Sequence, residues 1–282
     1  MFARFSRSWA LVKECMGLLM EDHSLLMFPL MSSIAMVVII ISFAVPLIPA
    51  FGFAAASGSD NAVSVLAYVA LFLFYWVQFT IVIFFNTALV EVAMRHFDGQ
   101  PAGVGEGLRR ALARLPMIIG YAFIAATVGT ILRMIAERVG LIGKIIIGLM
   151  GFAWTVANAL VVPVLAAENV GPIDAVKRSA EMIKKTWGEA IIGNAGIGLI
   201  FGLFLFLFIL VGVVLIIAGF ATGHPALGVM MLLAVVVSVV LLVLAQSTLH
   251  GLYAAALYRY ANGLPTQGID PALLANAFAP RP

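Results

Sequence analysis

Of the 282 residues, 16 are Lys or Arg and 13 are Asp or Glu. Charged residues therefore make up 10% of the chain, against roughly 25% in an ordinary soluble domain. The apolar share of 63% exceeds what one core could hide beneath a wettable surface, so a soluble enzyme is excluded and lipid is the expected solvent.

Because a helix needs ~20 apolar residues to cross a bilayer, stretches free of Asp, Glu, Lys and Arg locate the membrane. Such stretches run over 23–59, 61–90, 115–132, 145–167 and 190–258. The last is long enough for two helices, and Ala221-Thr222-Gly223-His224-Pro225 supplies a turn near its middle. Six spans are expected, at about 25–50, 62–90, 115–136, 145–167, 190–220 and 226–258. Pro29, Pro46 and Pro49 bracket the first, and Arg133 snorkels to complete the short third.

Orientation follows from the basic residues. The N-terminus, the second and fourth connections and the tail carry thirteen Lys and Arg, whereas the other side carries three, Arg133, Arg138 and Lys144. This places both termini in the cytoplasm of a cell whose inner membrane holds the protein. Lys13 and Glu14 interrupt the apolar run that a cleaved signal peptide would need, so none is expected.

A pattern recurs at the cytoplasmic helix ends. Arg95-His96-Phe97-Asp98-Gly99-Gln100-Pro101 matches Arg259-Tyr260-Ala261-Asn262-Gly263-Leu264-Pro265, and Glu168-Asn169-Val170-Gly171-Pro172 is related to both. Each reads as a helix stop, with glycine able to take positive φ and proline blocking continuation. Short basic amphipathic helices follow the stops. In the first, Leu108, Ala111, Leu112 and Leu115 share a face that Arg109, Arg110 and Arg114 avoid. In the second, Asp174 is the expected N-cap and Val176, Ala180, Ile183 and Trp187 make the apolar stripe. Phe2, Phe5, Trp9, Val12, Met16 and Leu19 give the N-terminus the same character.

The expected fold is therefore all-α: a polytopic membrane domain over 1–265 and a short tail over 266–282. Its three pseudo-repeats, about 1–101, 102–172 and 173–265, each pair an in-plane helix with a membrane hairpin. Ile269-Asp270-Pro271-Ala272 in the tail echoes the start of a further unit.

The run Pro163-Val164-Leu165-Ala166-Ala167-Glu168-Asn169-Val170-Gly171-Pro172-Ile173-Asp174-Ala175-Val176-Lys177-Arg178-Ser179 resembles the signature of prokaryotic six-helix membrane proteins. That group includes families of unknown function, and it is similar to the membrane domain fused to some glycerophosphodiester phosphodiesterases. The resemblance implies fold and no activity, because in those enzymes the chemistry belongs to a separate soluble domain and no catalytic residue carries over.

Polar side chains within spans are costly and deserve a functional hypothesis. Asn86, Asn158 and His250 occupy equivalent places, about 14 Å inside the cytoplasmic helix end, with Gln246 one turn above His250 and Asn194 at a comparable level. They make a candidate vestibule, or else hydrogen-bonded bridges between helices, the favoured reading. Glu91 stands one turn before Arg95, a spacing that suits an interfacial ion pair. Gly198 and Gly202 mark a possible close helix approach.

No phosphate-cradling loop, nucleophile elbow, HExxH or acid/base carboxylate pair is present. The lone Cys15 and the scattered His residues point to no disulfide, metal or cofactor, and the separated basic blocks point to no nucleic acid. A non-enzymatic scaffold is expected, organising anionic lipid, a second copy of itself or another membrane protein. Its basic collar would comprise Arg7, Arg109, Arg110, Arg114, Lys177, Arg178, Lys184 and Lys185. The alternative is a transporter or channel for a small solute or lipid through an inner-leaflet vestibule lined by Asn86, Asn158, Asn194, Gln246 and His250.

Overall fold

The computed structural model describes residues 13, 15–56, 60–185, 187–221 and 225–264. Among them there is no strand. After a 3-10 turn at His23–Leu26, the helices are α1 (Met27–Ala56), α2 (Asp60–Phe97), α3 (Val104–Ala113), α4 (Leu115–Arg138) and α5 (Leu141–Ala157). They continue as α6 (Val161–Ala167), α7 (Pro172–Lys185), α8 (Trp187–Ala221) and α9 (Pro225–Ala261).

Among the described residues, six candidate membrane spans are long and apolar enough to cross a bilayer: His23–Pro49, Val69–Phe97, Leu115–Arg138, Leu141–Ala167, Phe201–Ala221 and Pro225–Ala261. At most 28% of the most apolar stretch of any span is buried inside the protein. Side chains such as Ile48, Phe152, Phe204 and Val237 are left facing outward, as suits hydrocarbon and not water. The chain is a multi-pass membrane protein.

Two compact units make up the chain: Met27–Lys185, and Met1–Leu26 together with Thr186–Pro282. In the first, α2 is the central element, packing on α1, α3, α4 and α6. Phe72 and Trp76 meet Phe123 of α4 edge-on, and Phe43 of α1 meets Phe74 edge-on. In the second, α8 and α9 form a pair drawn together by small residues. A β-carbon on Gly212 would lie 2.7 Å from Val235, and one on Gly219 would lie 3.0 Å from the Gly228 backbone. These glycines make the close approach. Gly198 and Gly202 have nothing within 4 Å of their β-carbon positions.

The helix stops take the form expected from their composition. Gly99 and Gly263 have φ of 68° and 66°. At the first, the Gln100 N–H donates to the Arg95 carbonyl (2.9 Å) and the Gly99 N–H to that of His96 (3.0 Å). At the second, Leu264 donates to Arg259 (2.9 Å) and Gly263 to Tyr260 (2.9 Å). Both are Schellman closures, which satisfy the last free carbonyls of α2 and α9. The Glu168–Gly171 stop is different, since Glu168 leaves α6 in an extended conformation at φ −107° and ψ 145°.

Two expected elements take another form. Pro46 and Pro49 lie inside α1 and do not end it. The fourth span is broken, its α5 and α6 portions separated by a turn at residues 158–160. Asn158 is the C-cap of α5, and its amide N–H2 donates to the Trp154 carbonyl at 2.6 Å, competing with helix continuation.

Candidate functional site

In the unit Met27–Lys185, the basic amphipathic helices sit against the span ends. α3 docks on α2 through a residue with no side chain. A β-carbon on Gly107 would stand 2.7 Å from the Ala88 carbonyl oxygen, 2.7 Å from Val92 and 3.0 Å from Phe28. The buried face of α3 is therefore Gly107 and Ala111, whereas Leu112, expected on that face, is 57% exposed. On α7, Ala175, Ser179, Met182 and Ile183 are buried, with Val176 and Ala180 at their flanks. Asp174 lies within the first turn of α7 and does not cap it.

With α3 docked, the charges of two helices meet. Glu106 accepts from Arg109 Nε and Nη2 at 3.1 and 3.0 Å and from Arg110 Nε at 2.9 Å. Arg95 Nη1 of α2 approaches the same carboxylate at 3.9 Å. The hydrogen bonds from Arg109 and Arg110 pull the Glu106 carboxyl down to about 2, and Glu106 in turn raises Arg109. Glu91, only 8% exposed, reaches Arg110 at 3.8 Å. Glu91 and Arg95, one turn apart on α2, thus each find an ion-pair partner on α3.

The connection from α6 to α7 is tied by the residues of the signature run. Arg114 donates to Asn169 Oδ1 at 2.6 Å, and Arg178 pairs with Glu168 at 3.5 Å. Ser179 is fully buried, and its hydroxyl oxygen accepts from the Leu160 N–H at 3.1 Å, satisfying a backbone donor at the broken span. Gly120 of α4 gives Pro172 room, since a β-carbon there would be 2.8 Å from the proline ring.

The expected collar divides into tied and exposed members. Arg109, Arg110, Arg114 and Arg178 are engaged by Glu91, Glu106, Asn169 and Glu168, Arg109 and Arg178 while remaining exposed. Arg109 and Lys177 have side chains 75% and 70% exposed, Lys177 with Asp174 at 3.7 Å, and Lys184 is also exposed. Arg7 and the Lys185 side chain lie outside the described residues, as do the N-terminal stripe before Lys13, the Trp187 side chain and the tail motif.

Of the candidate vestibule, Asn86 and Asn158 belong to the unit Met27–Lys185, and Gln246 and His250 to the other. All four are half-buried, and the Asn194 side chain lies outside the described set. Asn158 bridges helices, accepting from Tyr121 Oη at 3.1 Å. Among the described residues no three His, Cys, Asp or Glu side chains gather as a metal site would require.

Residues 65–268 match the Family of unknown function (DUF6159). The chain belongs to that family. The match begins inside α2 and continues past the end of α9, so it takes in the docked α3, the broken fourth span and α7. No curated protein and no solved structure matches the chain.

Proposed function

We propose that this DUF6159 protein is a non-catalytic scaffold of the inner membrane that gathers anionic lipid, or a membrane partner, on the basic face made by α3 and α7. One observation carries this reading: both helices bury one side and present Arg109, Lys177 and Lys184 outward from the other. Each basic side chain held near an anionic bilayer surface contributes about 1 kcal/mol. The thirteen-to-three distribution of Lys and Arg supports a cytoplasmic setting for that face and for both termini. The matched closures at Gly99 and Gly263 support descent of the hairpins from a repeated unit. The likeness to the membrane domain of glycerophosphodiester phosphodiesterases then reflects shared architecture and not shared chemistry.

Mass spectrometry of the gently extracted protein tests this. Wild type is expected to retain anionic phospholipid, and the variant R109Q/R110Q/K184Q/K185Q to lose it. Equal retention by both would exclude the basic face as the binding surface.

The break at residues 158–160 favours a second reading, a solute path, because discontinuous spans commonly flank transported substrates. Replacing Asn86 and Asn158, both in the unit that holds the break, together by leucine separates the two. Loss of a solute flux would favour the path, and unchanged flux would remove it.

A further inference from the structure

The charges at the α2–α3 junction are unequal in a way that scaffolding alone does not require. Three guanidinium groups, from Arg95, Arg109 and Arg110, converge on the single carboxylate of Glu106. Arg109 engages it through both Nε and Nη2, the fork geometry by which arginine also grips a phosphate. Glu91 offsets part of this charge through Arg110, whose Nη1 it reaches at 3.8 Å, so that among the described residues three arginines meet two carboxylates in the ion pairs of the junction. The arrangement is held in place by backbone contact, since Gly107 lies one residue from Glu106 and its close approach to Ala88 fixes α3 on α2.

We infer that Arg95, Arg109 and Arg110 form a phosphate-binding site in which Glu106 is the resident stand-in for the ligand. The inference rests on the proposed basic face and names its specific locus. An incoming phosphate oxyanion, from a phospholipid headgroup or from free phosphate, displaces the carboxylate and takes its hydrogen bonds. Glu106 is tethered, so it competes with every ligand. The three arginines remain partly exposed, with side-chain exposures of 28%, 75% and 38%, so an anion has access to them.

Competition gives the test its sign. The full-length protein in neutral detergent is titrated with phosphatidylglycerol, with phosphatidylcholine and with inorganic phosphate, and bound species are counted by native mass spectrometry. E106Q removes the competitor and is expected to tighten phosphatidylglycerol binding by roughly tenfold, the effect of about one charge-assisted hydrogen bond. R95Q is expected to weaken it by a similar factor, more than the matched charge loss of K184Q. Competition by millimolar inorganic phosphate would identify a general phosphate site, and its absence a headgroup site. Weaker or unchanged binding in E106Q overturns the proposal, as does an R95Q effect no larger than that of K184Q. Should wild type bind no anionic lipid or phosphate, the basic face itself fails. If E106Q does not fold, the comparison of R95Q with K184Q decides alone.

Discussion

The carbonyl oxygen of Ala88 lies 2.7 Å from the point where a β-carbon on Gly107 would stand. An entire amphipathic helix is seated on α2 through that approach, so even an added methyl group is driven against the Ala88 carbonyl. Gly107→Ala is expected to cost about 1–3 kcal/mol, the usual penalty of overpacking. Gly105→Ala on the same helix meets nothing within 4 Å and is expected to stabilise by up to about 1 kcal/mol. Thermal unfolding in detergent compares them, and equal shifts would mean that α3 is not docked as described.

Glu106 makes the assembly acid-sensitive in a defined direction. Its carboxyl is lowered from 4.5 to about 2 by Arg109 and Arg110, so folding favours the ionised form. The stabilisation is complete above the unfolded value and is lost as pH falls from 4.5 toward 2. Melting temperatures of wild type and Glu106→Gln are expected to differ by a constant amount above pH 5 and to converge at lower pH. A difference that does not change with pH would contradict the ion-pair geometry.

Ser179→Ala leaves the Leu160 N–H buried with no hydroxyl to receive it, at a cost of about 1–3 kcal/mol. Amide exchange at Leu160 should accelerate together with the loss of stability. Unaltered exchange would show that the broken span does not depend on α7.

Gly99 and Gly263 occupy the left-handed region that L-residues avoid. Alanine at either is expected to cost about 1–2 kcal/mol, by similar amounts because the closures are alike. A stabilising substitution at one position would break the equivalence of the two helix ends.

These examples show which features the sequence makes legible. Asp98-Gly99 and Asn262-Gly263 announce their closures because the chemistry is local: a few adjacent residues determine both the φ and the hydrogen bonds. Span number is equally legible, because hydrocarbon imposes one rule on every crossing. The site is not. Apolar periodicity nominates Leu112 for the buried face of α3, yet the partner surface on α2 selects Gly107, which carries no hydrophobic signal. Glu91 and Arg95 have the spacing of an intrahelical pair, but α3 supplies nearer partners. Ser179 looks like part of a basic block, and its partner at Leu160 is distant in the chain. The break after Asn158 is also silent, because an uninterrupted apolar run reads as one helix until its tertiary partners are known.

The direct test of a single basic face is its sidedness. In a Cys15→Ser background, cysteines are placed one at a time at Arg109, Lys177 and Gly140 and labelled with a membrane-impermeant maleimide. Gly140, in the connection between α4 and α5 with nothing within 4 Å of its β-carbon position, is expected to label in intact cells. Arg109→Cys and Lys177→Cys are expected to label only after the membrane is opened. Labelling of those two positions from opposite sides would contradict a common basic face and the lipid-gathering function built on it.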